Sequence, residues 1–250
     1  MNYVTPVGVD NCPGSITTLT AGQASGTVFP VGTTTVTYLV TDASANTGTC
    51  SFDVTVDDNE NPTIVCPADI IQNNDLGVCG ATVNYVTPVG LDNCAGSITS
   101  LLAGQASGTI FPIGTTTVDY EVVDVSGNTA SCSFDVTIND TQNPVIVCPA
   151  NITQSNDLGV CGAAVNYVTP VGSDNCPGSI TTLTAGQATA TVFPIGTTLN
   201  TYLVTDASGN TGTCSFNVTV NDTQNPTIVC PANITPVSYT HLTLPTNREV

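Results

Sequence analysis

The chain has 250 residues, 40% hydrophobic and only 8% charged, where an ordinary globular chain is about a quarter charged. Its formal charge is −18, and its single Arg (Arg248) and single His (His241) both lie close to the C-terminus. Everything before them therefore lacks the cations that nucleic-acid binding and docking on an anionic membrane require. It also lacks the His, Lys and Arg that serve as general bases and anion clamps.

Eleven cysteines set the plan of the molecule. Cys12, Cys94 and Cys176 are 82 residues apart, as are Cys50, Cys132 and Cys214. Cys66, Cys148 and Cys230 keep the same step, and so do Cys79 and Cys161. Residues 59–140 and 141–222 are identical at 58 of 82 positions without a gap. Such a period marks a tandem array of one module. The expected organisation is a partial module at 1–58, complete modules at 59–140 and 141–222, and the start of a fourth at 223–235.

Met1 aligns with Val83, so the first copy lacks the opening 24 residues of the period. On this alignment Met1 reads as an internal residue or a mis-called start, and a missing signal peptide does not argue against secretion. In the copy at 59–140 no helical spacing appears, and short alternating or β-branched runs recur instead. The expected strands are Thr63–Cys66, Cys79–Val86, Ile98–Leu102, Thr109–Phe111, Thr116–Val123 and Ser131–Ile138. In the fifth, Val118, Tyr120 and Val122 share a face; in the sixth, Cys132, Phe134, Val136 and Ile138 do. The turn Asp124-Val-Ser-Gly-Asn128 between them supplies the positive φ that a hairpin loop needs. Asn200 stands where the other copies have Val36 and Val118, which should weaken or shift the inward face of that strand. Six or seven short strands in one period suit an all-β, immunoglobulin-like sandwich. Residues 236–250 match no part of the repeat, and Ser-Tyr-Thr-His-Leu-Thr-Leu-Pro-Thr within them resembles a translated sequencing adapter. A divergent natural tail is the alternative, and the segment is set aside from the fold.

Four motifs in fixed order resemble the hyalin repeat, or HYR domain. They are Asn-Pro-x-Ile-Val-Cys-Pro (61–67, 143–149), Asp-Asn-Cys (92–94, 174–176), Phe-Pro-Ile-Gly (111–114, 193–196) and Val-x-Asp-x-Ser-Gly-Asn-Thr-x-x-Cys-Ser-Phe (122–134, 204–216). The resemblance covers 1–235. It implies an immunoglobulin-like fold in extracellular proteins, a link to adhesion, and long arrays of the kind found on bacterial surfaces. It implies no catalytic residue.

Four cysteines per module allow three pairings, and the first copy, which keeps only Cys12 and Cys50, does not by itself choose among them; if pairing stays within a module, one scheme is simplest. That scheme joins Cys94 to Cys132 and Cys66 to Cys79, then Cys176 to Cys214 and Cys148 to Cys161. The spacings suit no zinc motif.

The acids also recur in register, and two readings of them stand. Asp57, Asp58, Glu60, Asp140 and Asp222 lie in oxygen-rich junctions between copies, where a calcium ion, the one cofactor the chain suggests, would find ligands. Alternatively, these junctions are solvated linkers held by Asx turns, with Asp124 and its counterparts serving the hairpins. Paired carboxylates on three near-identical modules do not suggest a glycosidase. The Asn-x-Ser/Thr sites at Asn139, Asn151, Asn217, Asn221 and Asn233 carry glycans only in a host that makes them. The expected function is a non-catalytic stalk or adhesion segment of a larger secreted or cell-surface protein. The other reading is a carbohydrate- or protein-binding module. Sugar platforms need exposed aromatics, and Tyr85, Tyr120, Phe111 and Phe134 fall at core positions. The expected partners are neighbouring repeats and a surface glycan or protein ligand, with no nucleic acid and no membrane insertion.

Overall fold

The computed structural model describes residues 1–233 and 235, so the adapter-like tail 236–250 lies outside it. The chain forms two compact units. The first holds Met1–Asn143 together with the loops Asp174–Gly178 and Asp206–Asn210; the second holds Pro144–Ser173, Ser179–Thr205 and the described residues from Thr211 onward. Every regular element among the described residues is a β-strand.

In the first unit, β1 (Ile16–Ala21), β2 (Gly32–Thr41) and β3 (Thr47–Val56) form an antiparallel sheet in that order. There follow β4 (Ile70–Asn73), β5 (Gly80–Val83), β6 (Ile98–Ala103), β7 (Thr109–Pro112), β8 (Gly114–Val123) and β9 (Thr129–Asn139). They make a four-stranded sheet, β4-β9-β8-β6, and a two-stranded one, β5-β7. Strand β4 runs parallel to β9, with Ile70 opposite Val136. The second unit repeats this plan with β10 (Ile152–Ser155), β11 (Gly162–Val165), β12 (Ile180–Ala185), β13 (Thr191–Pro194), β14 (Gly196–Thr205) and β15 (Thr211–Asn221).

The alternation of residues along the long strands decides which face is buried. On β8 and β9, Val118, Tyr120, Val122, Phe134, Val136 and Ile138 are all buried. Ala81 and Val83 from β5 and Phe111 from β7 close over five of these to make one core, so the module is a two-layer sandwich. Tyr85 lies against the same core, its ring edge-on to Phe134 at 5.0 Å between centroids. Each fully buried Val or Phe is worth roughly 1.5–3 kcal/mol, and a module this small has few to spend. In the copy at 1–58 the buried core shrinks to Phe29, Val36, Tyr38 and Val54. Val40 there is only half-buried, whereas Val122 and Val204 are sealed.

Each copy carries a β-bulge at one place, between Leu19 and Ala21, Leu101 and Ala103, and Leu183 and Ala185. Gly104 follows the second bulge at φ +83°, and a Cβ there would lie 2.6 Å from the Thr117 carbonyl oxygen. That close approach requires a glycine.

Two local expectations are corrected. Thr63–Cys66 is no strand: Thr63 makes a single bridge to Leu91, because Pro62 and Pro67 bracket a run too short to build a ladder. The strand in that region is β4, a segment that the expected strands left out. Asn200 does not shift its strand, since β14 keeps the same ten-residue register with β15 that β8 keeps with β9. Asn200 is fully buried. Its Oδ1 accepts from the Gln187 N–H at 2.9 Å, and its Nδ2 donates to the Gln187 carbonyl at 3.1 Å, so neither polar atom is stranded.

Candidate functional site

The chemistry-bearing side chains gather where one copy meets the next, and short local turns place them. After β9, Asp140 Oδ1 accepts from the Gln142 N–H at 3.1 Å. Gln142 then reaches back to the loop after β4: its Oε1 accepts from Gly77 N–H at 3.0 Å, and its Nε2 donates to Asp75 O at 3.3 Å. This loop presents Cys79. Asp75 fixes it from within, its Oδ2 accepting from Thr82 N–H at 2.8 Å and its carbonyl from Val78 N–H at 3.0 Å.

The facing loop is an Asx turn. Asp174 Oδ2 accepts from the Cys176 N–H at 2.9 Å, which aims the Cys176 sulfur. Asn175 donates from Nδ2 to the Val78 carbonyl at 3.0 Å. Cys79 and Cys176 are joined as a disulfide with Cα atoms 4.8 Å apart. Two further disulfides, Cys66–Cys132 and Cys148–Cys214, each span 66 residues with Cα atoms 5.6 Å apart.

These bonds differ from the simple scheme. Cys94–Cys132, Cys66–Cys79, Cys176–Cys214 and Cys148–Cys161 do not form. The parallel pairing of β4 with β9 carries Cys66 to Cys132, whereas Cys94 sits on a loop beside Asp58 and Asp92. Cys12, Cys50, Cys94, Cys161 and Cys230 carry free thiols. The signal that would have found the inter-copy bond was in the sequence: the Cys79 loop and the Asp-Asn-Cys loop each recur intact, but spacing alone does not say that they meet.

The acids divide. Asp58 and Asp140 each stand in a cluster, Asp58 with Asp92 and Cys94, Asp140 with Asp174 and Cys176, the ligand atoms of each set lying within 4.8 Å of one another. Asp57, Glu60 and Asp222 belong to neither. Glu60 accepts from Asn93 Nδ2 at 2.6 Å, and Asp222 caps its own turn through Gln224 N–H at 3.1 Å. In the first cluster Asp58 Oδ2 and Asp92 Oδ1 are buried without a hydrogen-bond partner. The Asp58 carboxylate, then burial, then the charges of Asp58, Asp92 and Asp124 push the Cys94 thiol up to about 11, so it is a poor nucleophile at neutral pH.

The hairpin acids serve the turns. Asp124 Oδ1 accepts from the N–H groups of Ser126 and Asn128, both at 2.8 Å, and Oδ2 from Asn128 Nδ2 at 2.8 Å. Burial pushes this carboxyl up, but the Asn128 side chain and the turn N–H groups outweigh it and hold the carboxyl below its usual value.

Comparison with known proteins finds one family in all three copies. The model of the HYR domain matches residues 1–56, 57–138 and 139–220. Hyalin of Strongylocentrotus purpuratus is 38% identical over 240 residues, covering 93% of this chain and 20% of that protein. Hyalin of Lytechinus variegatus is 35% identical over 239 residues, covering 92% of this chain and 44% of the relative. The chain thus spans less than half of either relative. Among solved structures, human CDH23 EC21-23 aligns over 75% of this chain and 74% of its own, at 14% identity and a TM-score of 0.33.

Proposed function

The chain belongs to the HYR domain family, and from that premise we propose that it is an adhesion-type, non-catalytic repeat segment of a larger protein that works outside the cell. The observation that carries the reading is the cystine Cys66–Cys132 and its counterpart Cys148–Cys214, which close successive copies. Cystines persist in oxidising compartments and stiffen domains whose own cores are small. The described residues contain no helix long and apolar enough to cross a membrane. Copies at 59–140 and 141–222 would act as spacers of fixed length, with loops free to carry a glycan or protein ligand. A strand of about ten residues spans roughly 34 Å, so each copy adds a length of that order.

Small-angle scattering on chains of two, three and four copies tests this. The maximum dimension should climb by a constant increment per copy; a dimension that levels off as copies are added would overturn the stalk.

The two orphaned oxygens, Asp58 Oδ2 and Asp92 Oδ1, favour a second reading, in which a divalent cation is held between them. Calcium seeks six to eight oxygens, so carbonyls of the junction and water would have to complete the set. Asp58→Asn should abolish any calcium-dependent rise in melting temperature, whereas a rise that survives this change removes the reading.

A further inference from the structure

The Cys79–Cys176 bond joins two successive copies of the repeat, 97 residues apart in sequence. We propose that this bond is one rung of a ladder. Cys161 is then the same outgoing half-site, built to receive the Asp-Asn-Cys loop of one further copy of this module.

The loop around Cys161 is already in the bonded conformation. Gly159 N–H donates to Gln224 Oε1 at 3.0 Å, and Gln224 Nε2 donates to Asp157 O at 3.1 Å. Thr223 N–H donates to Asn156 Oδ1 at 3.0 Å, as Thr141 does to Asn74 at 3.1 Å. Asp157 accepts from Ala164 N–H at 2.8 Å, as Asp75 does from Thr82. Each contact of the Cys79 loop is thus reproduced around Cys161, apart from those the incoming loop makes. The Val78 carbonyl accepts from both Asn74 and Asn175, whereas the Val160 carbonyl accepts from Asn156 alone. Cys79 is half-buried and Cys161 exposed, as expected of a half-site with and without its occupant.

The receiving loop is equally regular. The N–H groups of Cys12, Cys94 and Cys176 donate to Asp10, Asp92 and Asp174 at 3.0, 2.9 and 2.9 Å. Of these three, only Cys176 has a Cys79-type loop 97 residues before it, and only Cys176 is bonded and buried. Two separations, 66 within a copy and 97 between copies, account for every free cysteine. For Cys12, Cys50, Cys94, Cys161 and Cys230 the position that would hold the partner falls outside residues 1–250. The occupant that fits the half-site is therefore a further copy of this module.

Closing the rung removes two protons and two electrons from a pair of thiols. A small disulfide such as oxidised glutathione accepts them. The Cys161 thiolate attacks it and releases one glutathione thiol; the incoming cysteine then displaces the second and forms the new S–S bond.

The test lengthens the chain in register, placing after Asp222 a second copy of residues 141–222 whose own counterpart of Cys161 is changed to Ser, and folds it with oxidised and reduced glutathione. Alkylation under native conditions followed by mass spectrometry reads each thiol. In the 250-residue chain Cys161 and Cys230 should both be labelled. In the lengthened chain labelling of each should fall about tenfold or more, with Cys161 recovered in a linked peptide. Changing the incoming counterpart of Cys176 to Ser should return Cys161 to full labelling while Cys230, bonded inside the folded new copy, stays protected. Full labelling of Cys161 beside a protected Cys230 would overturn the proposal. The adhesion-type reading would survive that result, because it rests on the bonds within copies, and a failed scattering series would leave the rung intact.

Discussion

The side-chain amide of Asn128 donates to the backbone carbonyl of Asp58, 3.1 Å away and 70 residues earlier in the chain. Asn210 makes the same bond to Asp140 at 3.2 Å. Both amides also donate to a hairpin acid, Asp124 or Asp206, at 2.8 Å, so each hairpin tip is tied to the linker before its copy. Asp42, Asp124 and Asp206 are all held below the ordinary carboxyl value of 3.8. A carboxyl depressed in the folded state adds stability above its unfolded value, and that contribution is lost as pH falls through the lower folded value. The melting temperature should therefore drop as pH goes from about 4 towards 2. The combined change Asp42→Asn, Asp124→Asn and Asp206→Asn should flatten that drop, as calorimetry across the range would show.

Tyrosines predict the opposite limb. Tyr85 donates from its hydroxyl to Gln105 O at 2.6 Å and meets the Tyr120 hydroxyl at 3.1 Å. Burial, then the Tyr120 hydroxyl, raises the Tyr85 phenol above its ordinary 10.0, and Tyr167 is raised in the same way by burial and Tyr202. A group raised in the folded state gives stability that is complete below its unfolded value and is lost as pH climbs through the folded one. Ultraviolet titration should show these phenols ionising only together with unfolding, above about pH 10. Tyr85→Phe should cost about 1 kcal/mol at pH 7, measured by urea unfolding.

Asn200 gives a test with a sharper sign. Aspartate there would keep one acceptor for the Gln187 N–H but place an ionised oxygen against the Gln187 carbonyl, at a site with no exposure. Burial pushes such a carboxyl up, so Asn200→Asp should be nearly neutral at pH 3, where the acid can donate as Nδ2 does. The loss should grow as pH rises above about 4 and reach roughly 3 kcal/mol or more by pH 7. Equal unfolding midpoints at the two pH values would show that the site admits water.

In the complete copies Ile64, Cys66 and Ile70 pack on the core, and the copy at 1–58 holds no counterpart of them. A cavity of about 310 Å³ opens there among Val7, Val9, Tyr38, Val40 and Cys50. A synthetic peptide of residues 60–73 should enter it, form a mixed disulfide with Cys50, and raise the first melting transition by several degrees, roughly what 1–2 kcal/mol gives in a small domain. A Cys66→Ser peptide should raise it less, because only the apolar contacts remain.

The 82-residue period, the inward faces of β8 and β9 and the hairpin at Asp124 could all be read from residue patterns, because alternation and turn chemistry are local. Strand β4 was hidden because a four-residue parallel edge carries no alternation long enough to recognise. The cystines were hidden for a related reason: the parallel approach of β4 to β9 is a long-range fact, and it alone chooses Cys132 over Cys79 for Cys66. Asp58 was among the expected junction acids, but Asp92 joins it from 34 residues on, a contact that only the folded loop reveals.

That choice of partners decides how the chain answers tension. Each intramodular bond replaces 66 residues of chain by a span of 5.6 Å between Cα atoms. Between Cys132 and Cys148 only 16 residues remain to be drawn out, so a stretched array yields little length per copy even when its strands unfold. Pulling the oxidised chain from its ends should give a contour length shorter than that of the reduced chain by roughly 450 Å, about 225 Å for each closed copy at the usual extended rise. The pairing Cys94–Cys132 with Cys66–Cys79 would lock far fewer residues, about 50 per copy, and shorten the chain by only about 170 Å per copy. Force spectroscopy with and without a reductant separates the two values. Cys132→Ser alone should restore only about 85 Å, because Cys79–Cys176 still bridges the opened loop. Cys132→Ser combined with Cys176→Ser should restore about 225 Å while leaving the other copy closed.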